Sequence, residues 1–222
     1  MNGVGHHETL CTALYDVLPQ SHILVGSTSC AAVIDTPGMV RQTGHSPVTI
    51  IANDTDHSQM AQKLATLLSH SGLDTMTAPL SSKTMILWTK LLYNTTINPL
   101  ATILQVKNEC LQHEAHKPIL TQLVNEFIAV CAAANIQLDF DIPKNSTLQH
   151  VALNSVYAII ERTKNNINST LADVLAKRPT ENDLLLGTVI RTAQQYNVAV
   201  PYMQCCYNLI HAKAANYKYV LH

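Results

Sequence analysis

The sequence has little charge and no excess of either sign. Charged residues make up 13% of its 222 residues, and 14 Lys and Arg residues against 15 Asp and Glu residues leave a formal net charge of −1. Because the chain has no surplus of positive charge to neutralise a phosphate backbone, we expect no nucleic-acid partner. Every apolar run is broken by polar residues before it could span a bilayer, so we expect a soluble protein with no membrane partner.

Signals for export, disulfides and metals are also lacking. The first residues have neither the basic start nor the apolar centre of a secretion signal, which predicts a cytoplasmic location. The six cysteines form no C-x-x-C pair, so reduced thiols are expected. Neither His6–His7 nor His113–His116 belongs to an H-E-x-x-H motif, and no third ligand is evident near either of them. Solvated histidines are therefore the favoured interpretation, and no metal site is predicted.

The first third of the chain alternates between helical and extended patterns. The predicted elements in this region are a helix over His7 to Leu18, a strand in the β-rich stretch from His22 to Ile34, a turn over Thr36 to Met39 followed by a second strand, a further strand over Pro47 to Ala52 and a helix over Asp56 to Ser71. Gly72 follows the last helix as a typical C-terminal stop signal. An alternation of this kind predicts layers of α and β structure.

From about Ser81 onward the sequence reads as a series of helices. The predicted helices are Lys83 to Gln105, Glu114 to Ala134, Thr147 to Thr163, Thr170 to Ala176, Glu181 to Tyr196 and Tyr202 to Ala215. The change of pattern places the predicted domain boundary near residues 78 to 81. We therefore predict two domains, residues 1–78 and residues 79–222.

Three polar residues recur every four positions on the first long helix. Lys90, Asn94 and Asn98 form a narrow polar stripe at 3.6 residues per turn, while Leu91 and Leu92 occupy other parts of the helix surface. The stripe could face a cleft while the remainder of the helix packs. Taken by itself, the spacing favours a solvated helix face.

A second polar constellation lies further along the chain, at residues 165–173 and 177–183. Ser169 is placed to cap one predicted helix, and Thr180 with Asp183 has the spacing of a capping box at another. Glu181 would then be favoured by the helix dipole. Local capping therefore explains most of these residues without any substrate.

The order of the motifs adds information that spacing alone does not carry. The string L-W-x-K-L-x-x-N-x-x-I-N-P-L over Leu87 to Leu100 resembles the helix that opens the all-helical domain of ketopantoate reductases (2-dehydropantoate 2-reductases). Downstream, S-x-L-x-D from Ser169 and R-x-T-E ending at Glu181 resemble that family's second motif. Asn2 to Gly5 resembles its N-G-x-G turn, and Thr36 to Val40 resembles its P-G-x-V turn. The resemblance covers the whole chain.

The resemblance implies a fold and an activity. The expected fold is an α/β remnant of a Rossmann-type NADP-binding domain followed by an all-α C-terminal domain. The implied activity is the NADPH-dependent reduction of 2-dehydropantoate to pantoate, a step of pantothenate and coenzyme A biosynthesis. The implied partners are a small 2-keto acid such as ketopantoate and NADP(H), together with either a second copy of the chain or a missing N-terminal half.

Individual residues take their implied roles from the motif matches. Lys90 matches the family's general acid, and Glu181 matches the acidic residue that helps to hold the substrate and the lysine. Residues that match substrate-binding positions are Asn94, Asn98, Asn166 and Ser169. Asn2 matches the asparagine near the nicotinamide and substrate.

One departure from the family is large. Complete members begin with a strand and a G-x-G-x-x-G turn that binds the pyrophosphate, and this sequence contains no such motif. The region expected to be absent is roughly the first 90 residues of a complete member. We therefore expect the chain alone neither to bind NADPH appreciably nor to reduce ketopantoate. The alternative is a non-catalytic, degenerate relative that acts as a helical binding or dimerisation module.

Overall fold

The computed structural model describes residues 3–17, 23–44, 46–52 and 57–215 of the chain. These residues form two compact units. One unit is Gly5–Leu87, and the other combines Met1–Val4 with Trp88–His222. The first is called the α/β unit and the second the helical unit.

The α/β unit is built on a small sheet. Its elements are α1 (His6–Ala13), β1 (Val25–Thr28), β2 (Ala31–Thr36), β3 (Met39–Gly44), β4 (Val48–Ala52), α2 (His57–His70) and β5 (Thr75–Pro79). Strand β4 is the middle strand, antiparallel to β1 and parallel to β5, and α2 makes the crossover between the two parallel strands. A separate hairpin pairs β2 with β3. The expected α/β layering is confirmed.

Helix α2 packs on the sheet through small residues. Ala61 and Ala65 are buried in a cluster with Ile50 and Ala52 of β4. The helix ends at His70, and Gly72 follows two residues later with a φ of 87°, in the left-handed region that favours glycine. Because these side chains are small, α2 lies close to the sheet. The packing between helix and sheet therefore buries little apolar area.

Two expectations in this region are wrong in detail. Helix α1 ends at Ala13, earlier than predicted, and a turn follows in which Val17 N–H donates to the Leu14 carbonyl. The β-rich stretch from residue 22 divides into β1 and β2, which belong to different sheets. At the break, the backbone N–H of Cys30 donates to the Thr28 hydroxyl at 3.0 Å, a local turn that competes with strand pairing.

The helical unit contains six α-helices. They are α3 (Lys83–Leu104, which begins in the α/β unit), α4 (Lys117–Ala133), α5 (Leu148–Arg162), α6 (Ser169–Leu175), α7 (Leu186–Gln195) and α8 (Pro201–Ala215). Short 3₁₀ turns occur at Leu80–Ser82, Asn108–Gln112 and Glu114–His116. The expected all-helical region is confirmed. Within the described ranges, no helix has the length and apolar character needed to cross a bilayer.

One apolar core joins these helices. Phe127 of α4 is fully buried, and its ring centroid lies 5.7 Å from that of Trp88 on α3. Other fully buried large side chains of this core are Leu91, Leu92, Leu111, Leu120, Leu123, Ile160, Leu186, Met203 and Ile210. Burying one such side chain contributes roughly 1.5–3 kcal/mol, so this cluster supplies the main stabilising term of the unit.

A buried carboxylate fixes the start of α8. Glu126 of α4 is 8% exposed, and its two carboxylate oxygens accept the backbone N–H groups of Tyr202 and Met203 at 2.8 and 2.9 Å. These N–H groups have no partner within the helix because they lie in its first turn. The contact therefore caps α8 from a neighbouring helix and satisfies a charge that would otherwise be costly to bury.

Candidate active site

The stripe of polar residues lies on α3 as its spacing predicts. Lys90 and Asn94 are half-buried, and Asn98 is buried. The four-residue spacing continues one step further to Thr102, which is fully buried. At 1.5 Å per residue the stripe from Lys90 to Thr102 is about 18 Å long, and it winds slowly around the helix by about 40° per step.

The other side of α3 anchors this stripe in the core. Leu91 and Leu92 are buried, and so are Thr95 and Thr96. Each threonine hydroxyl donates at 2.8 Å to the carbonyl four residues earlier, which satisfies the buried polar group within the helix. The helix is therefore held firmly on its apolar side, which fixes the orientation of the polar residues.

Lys90 interacts electrostatically with Glu181. Burial lowers the pKa of the Lys90 ammonium below its ordinary value, and the negative charge of Glu181 opposes that shift. The two residues lie 91 positions apart in the sequence, and the fold brings them within electrostatic range. This is the pair that the resemblance assigns to proton transfer and substrate binding.

The far end of the stripe meets the second polar segment. Thr102 donates to the side-chain oxygen of Asn168 at 3.3 Å, and the same oxygen accepts the N–H of Leu171 at 2.9 Å. Close by, the backbone N–H of Asn108 donates to the Asn166 carbonyl at 3.2 Å. These bonds tie the segment around Asn166 and Ser169 to the C-terminal end of α3.

The capping expectations for this segment are wrong. Asn168, one residue before Ser169, caps α6, and the Ser169 side chain is exposed. Helix α7 begins at Leu186, so Glu181 precedes the helix and no capping box forms from Thr180 and Asp183. The reason is that the Asp183 carboxylate accepts a hydrogen bond from the Tyr207 hydroxyl on α8, so a partner in the tertiary structure replaces the local cap.

Glu181 instead opens a tight turn over residues 181–185. Its carbonyl accepts the N–H groups of Leu184 and Leu185 at 2.9 and 3.1 Å. Gly3 packs directly against this turn: a Cβ added at Gly3 would lie 2.5 Å from the Leu184 carbonyl oxygen, and the φ of Gly3 is +107°. Only glycine fits at this close approach. The neighbouring Asn2, proposed from the resemblance, lies outside the described residues.

The structure thus joins the site residues in two groups along α3. Lys90 interacts with Glu181 at one end, and the segment containing Asn166 and Ser169 is attached at the other. Their convergence with Asn94 and Asn98 on a single cleft remains a prediction. Sequence reasoning missed the linking residues Asn108, Asn168 and Thr102. For Thr102 a signal was present, because it continues the four-residue spacing.

The site has no metal-binding character in the described part of the chain, where no group of three His, Cys, Asp or Glu residues could hold an ion. The glycines at positions 3 and 5 are not followed by a third glycine at position 8, where glutamate stands, so the 222 residues contain no G-x-G-x-x-G pattern.

Comparison with known families agrees with this description. Residues 84–214 match the family described as ketopantoate reductase PanE/ApbA C terminal, and residues 1–54 match ketopantoate reductase PanE/ApbA. The first match alone takes in more than half of the chain. The protein belongs to the ketopantoate reductase family, a family of oxidoreductases.

Individual relatives support the same assignment. The chain is 30% identical over 215 residues to the 2-dehydropantoate 2-reductase of Lactococcus lactis, covering 96% of this chain and 65% of that protein. It is 34% identical over 124 residues to the Vibrio cholerae 2-dehydropantoate 2-reductase, covering 56% of this chain and 39% of that protein. The chain therefore spans at most about two thirds of these relatives.

A solved structure of D-mandelate dehydrogenase with NADH and anilino(oxo)acetate shares the fold. Its TM-score is 0.81 at 27% identity, and the match covers 97% of this chain and 66% of that one. A PanE/ApbA family ketopantoate reductase from Ralstonia eutropha has the same fold at a TM-score of 0.79 and 22% identity, with coverage of 98% and 66%. Rossmann-type strands followed by a helical domain are thus the architecture of this chain.

Proposed function

We propose that this chain is the substrate-binding and proton-donating part of an enzyme that reduces a 2-keto acid such as ketopantoate to the corresponding 2-hydroxy acid. The observation that supports the proposal most strongly is the pairing of Lys90 with Glu181, which lie 91 positions apart in the sequence and interact in the fold. Both residues fall inside the region that matches the ketopantoate reductase C-terminal family.

Lys90 is the proposed general acid. A ketone that accepts hydride develops negative charge on its oxygen, and an ammonium group beside that oxygen stabilises the charge and then delivers a proton. Partial burial supports this role because it lowers the pKa of Lys90 and makes the ammonium a better proton donor. The carboxylate of Glu181 opposes the shift and favours the protonated form of the lysine.

The remaining polar residues are proposed to bind the keto acid. Asn94 and Asn98 project from the same helix as Lys90, and Asn166 and Ser169 belong to the segment tied to its other end. Amide and hydroxyl donors bind a carboxylate without titrating, so they would hold the substrate over a wide pH range. Asn2 is proposed to lie near the nicotinamide.

We propose NADP(H) as the cofactor of the complete site, where it supplies the hydride. This chain alone is proposed to be inactive. Dinucleotide binding in this class of fold depends on the glycine turn and the helix behind it, and those groups are not encoded in these 222 residues. A dinucleotide-binding half, or a second copy of the chain, is the proposed protein partner.

The first test measures NADPH absorbance in the presence of ketopantoate. The chain is assayed alone and again with a separately expressed dinucleotide-binding half of a ketopantoate reductase. We expect turnover only in the mixture, and loss of about 10²- to 10⁴-fold in the rate for Lys90→Met, as is typical when a general acid is removed. Lys107→Met changes an exposed lysine on the same unit and serves as the matched control.

A second measurement separates binding from turnover. Calorimetry with pantoate and, separately, with NADPH reports which part of the site the chain contains. Binding of pantoate that weakens in Asn98→Ala, with no heat from NADPH, is the expected result. Turnover by the chain alone would contradict the proposed need for a partner. Failure of both the mixture and the pantoate titration would instead favour the non-catalytic helical module.

A further inference from the structure

The turn that carries Glu181 is held from several sides at once. The residue after Glu181, Asn182, is only 2% exposed, and its side-chain N–H donates to the Tyr207 carbonyl at 3.2 Å. The carboxylate of the next residue, Asp183, accepts a hydrogen bond from the hydroxyl of the same tyrosine. Tyr207 therefore contacts two consecutive residues of the turn, one through its backbone and one through its side chain.

Charged groups of α7 and α8 surround the same carboxylate. His211 places its Nε2 3.3 Å from Asp183, and Arg191 donates to the Asp183 backbone carbonyl at 3.1 Å. The hydrogen bond from Tyr207, with smaller contributions from His211 and Arg191, holds the pKa of the Asp183 carboxyl below its usual range. The same bond raises the pKa of Tyr207, as expected when the hydroxyl donates to an anion.

A glycine makes room for this arrangement. A Cβ added at Gly187 would lie 3.0 Å from Arg191 Nη1 and 3.4 Å from Tyr207 Cε2. A side chain at that position would push either group away from the turn. The capping explanation that fits the sequence does not account for these contacts, because the helix begins at Leu186 and uses none of them as a cap.

We propose that Tyr207 is a positioning residue for the active site: by anchoring Asn182 and Asp183 it fixes the 181–185 turn and thereby holds the Glu181 carboxylate near Lys90. This proposal rests on the proposed function and deepens it. Tyr207 touches neither Lys90 nor Glu181 in the contacts described above, so it acts through the turn. A single hydrogen bond at an exposed carboxylate would be weak, whereas attachments on consecutive residues restrict the turn together.

The test follows the titration of Lys90 in the intact chain. The chain is labelled with carbon-13 lysine, and the Lys90 signal is identified by its loss in Lys90→Arg. Glu181→Gln should lower the pKa of Lys90 because it removes the charge that opposes the effect of burial. Tyr207→Phe should also lower the pKa of Lys90, by a smaller amount. Since Tyr207→Phe leaves the ionised groups of the turn in place, the shift reports displacement of Glu181.

A matched control lies on the same helix. Tyr202 is exposed and contributes only its backbone N–H to a described contact, so Tyr202→Phe should leave the Lys90 titration unchanged. Asn182→Ala removes the second anchor, also without a change of charge, and should reproduce the downward shift. The Asn182→Ala variant keeps the proposal testable if Tyr207→Phe fails to fold.

The outcomes separate this proposal from the proposed function. If Glu181→Gln leaves the pKa of Lys90 unchanged, the pairing on which both rest is wrong. If Glu181→Gln lowers it but Tyr207→Phe and Asn182→Ala do not, the pairing stands and the positioning role of Tyr207 is overturned. A loss of thermal stability in Tyr207→Phe with an unchanged Lys90 titration would likewise overturn it.

Discussion

The two units of this chain bury their apolar residues to very different extents. In the helical unit, large side chains such as Leu123 and Phe127 are fully buried. In the α/β unit the buried cluster consists of Ile50, Ala52, Ala61 and Ala65, while Leu67 on α2 is 64% exposed. Further exposed apolar residues of that unit are Ile34, Met39, Val40, Met60, Leu64 and Met76. The helical unit therefore has a large apolar core, whereas the α/β unit has a small one.

The difference matters because burial of apolar area is the main stabilising term in folding. A three-stranded sheet with one crossover helix encloses little volume, and a small domain buries a smaller fraction of its surface than a large one. The residues proposed for chemistry that the structure describes all lie in the unit with the larger core. Precise positioning of a site requires such rigid support.

The largest expected effect comes from opening the core of the helical unit. Phe127→Ala should cost about 3–5 kcal/mol in the free energy of unfolding, because it removes a fully buried ring that contacts Trp88. Leu64→Ala, at a partly exposed position of α2, should cost less than about 1 kcal/mol. Urea unfolding monitored by circular dichroism measures both. Equal costs would show that the two units do not differ as described.

Substitution of two glycines gives the next largest expected difference in stability. Gly3 and Gly5 both have a positive φ, but a Cβ at Gly3 meets the Leu184 carbonyl while a Cβ at Gly5 meets nothing within 4 Å. Gly5→Ala should cost about 1 kcal/mol for the strained backbone alone. Gly3→Ala should cost about 2–3 kcal/mol because it adds a steric clash. Thermal unfolding of the two variants provides the comparison, and a smaller loss for Gly3→Ala would contradict the close approach.

The buried cap of α8 predicts a smaller loss within the helical unit. Glu126→Gln keeps the shape of the side chain but replaces the carboxylate that accepts two N–H groups, so we expect a loss of about 1–2 kcal/mol. Glu114→Gln, at an exposed carboxylate, is the matched control and should change little. Denaturant midpoints report the difference. No loss in Glu126→Gln would mean that the carboxylate charge is not needed there.

Substitution on the exposed face of α2 is expected to have the smallest effect on stability. It should nevertheless have a measurable effect on self-association. Leu67→Glu should leave the melting temperature nearly unchanged and reduce self-association, because exposed apolar residues favour contacts between molecules. Leu175→Glu places the same change at an exposed position of the helical unit. Light scattering at increasing concentration measures both. A parent chain that stays monomeric at high concentration would count against this prediction.

Much of the fold followed from the sequence because local signals agreed with the final structure. The spacing of apolar residues predicted α3 and α5 to within one residue at each end, and Gly72 marked the end of α2. The hairpin around Pro37 and Gly38 was also predicted from its turn residues. In each case the residues that form the element are neighbours in sequence, so propensity and packing favour the same conformation.

The failures occurred where a distant residue competed with a local partner. Thr180 and Asp183 had the spacing of a capping box, but Asp183 bonds with Tyr207, 24 positions away. Ser169 was the predicted cap of α6, but Asn168 caps the helix and also accepts a hydrogen bond from Thr102 on α3. Capping motifs define which bonds are available, whereas the packing of α3, α7 and α8 selects among them.

By itself the sequence determined the alternation of strands and helices in the first third, the series of helices after it, the polar stripe on α3 and the resemblance to the ketopantoate reductase family. Periodicity and motif order carry that information, because they depend on residues a few positions apart. Only the tertiary structure decided that Lys90 and Glu181 interact and that Gly3 packs against the 181–185 turn. Contacts of this kind join residues far apart in the chain, and they form only when the apolar core brings their helices together.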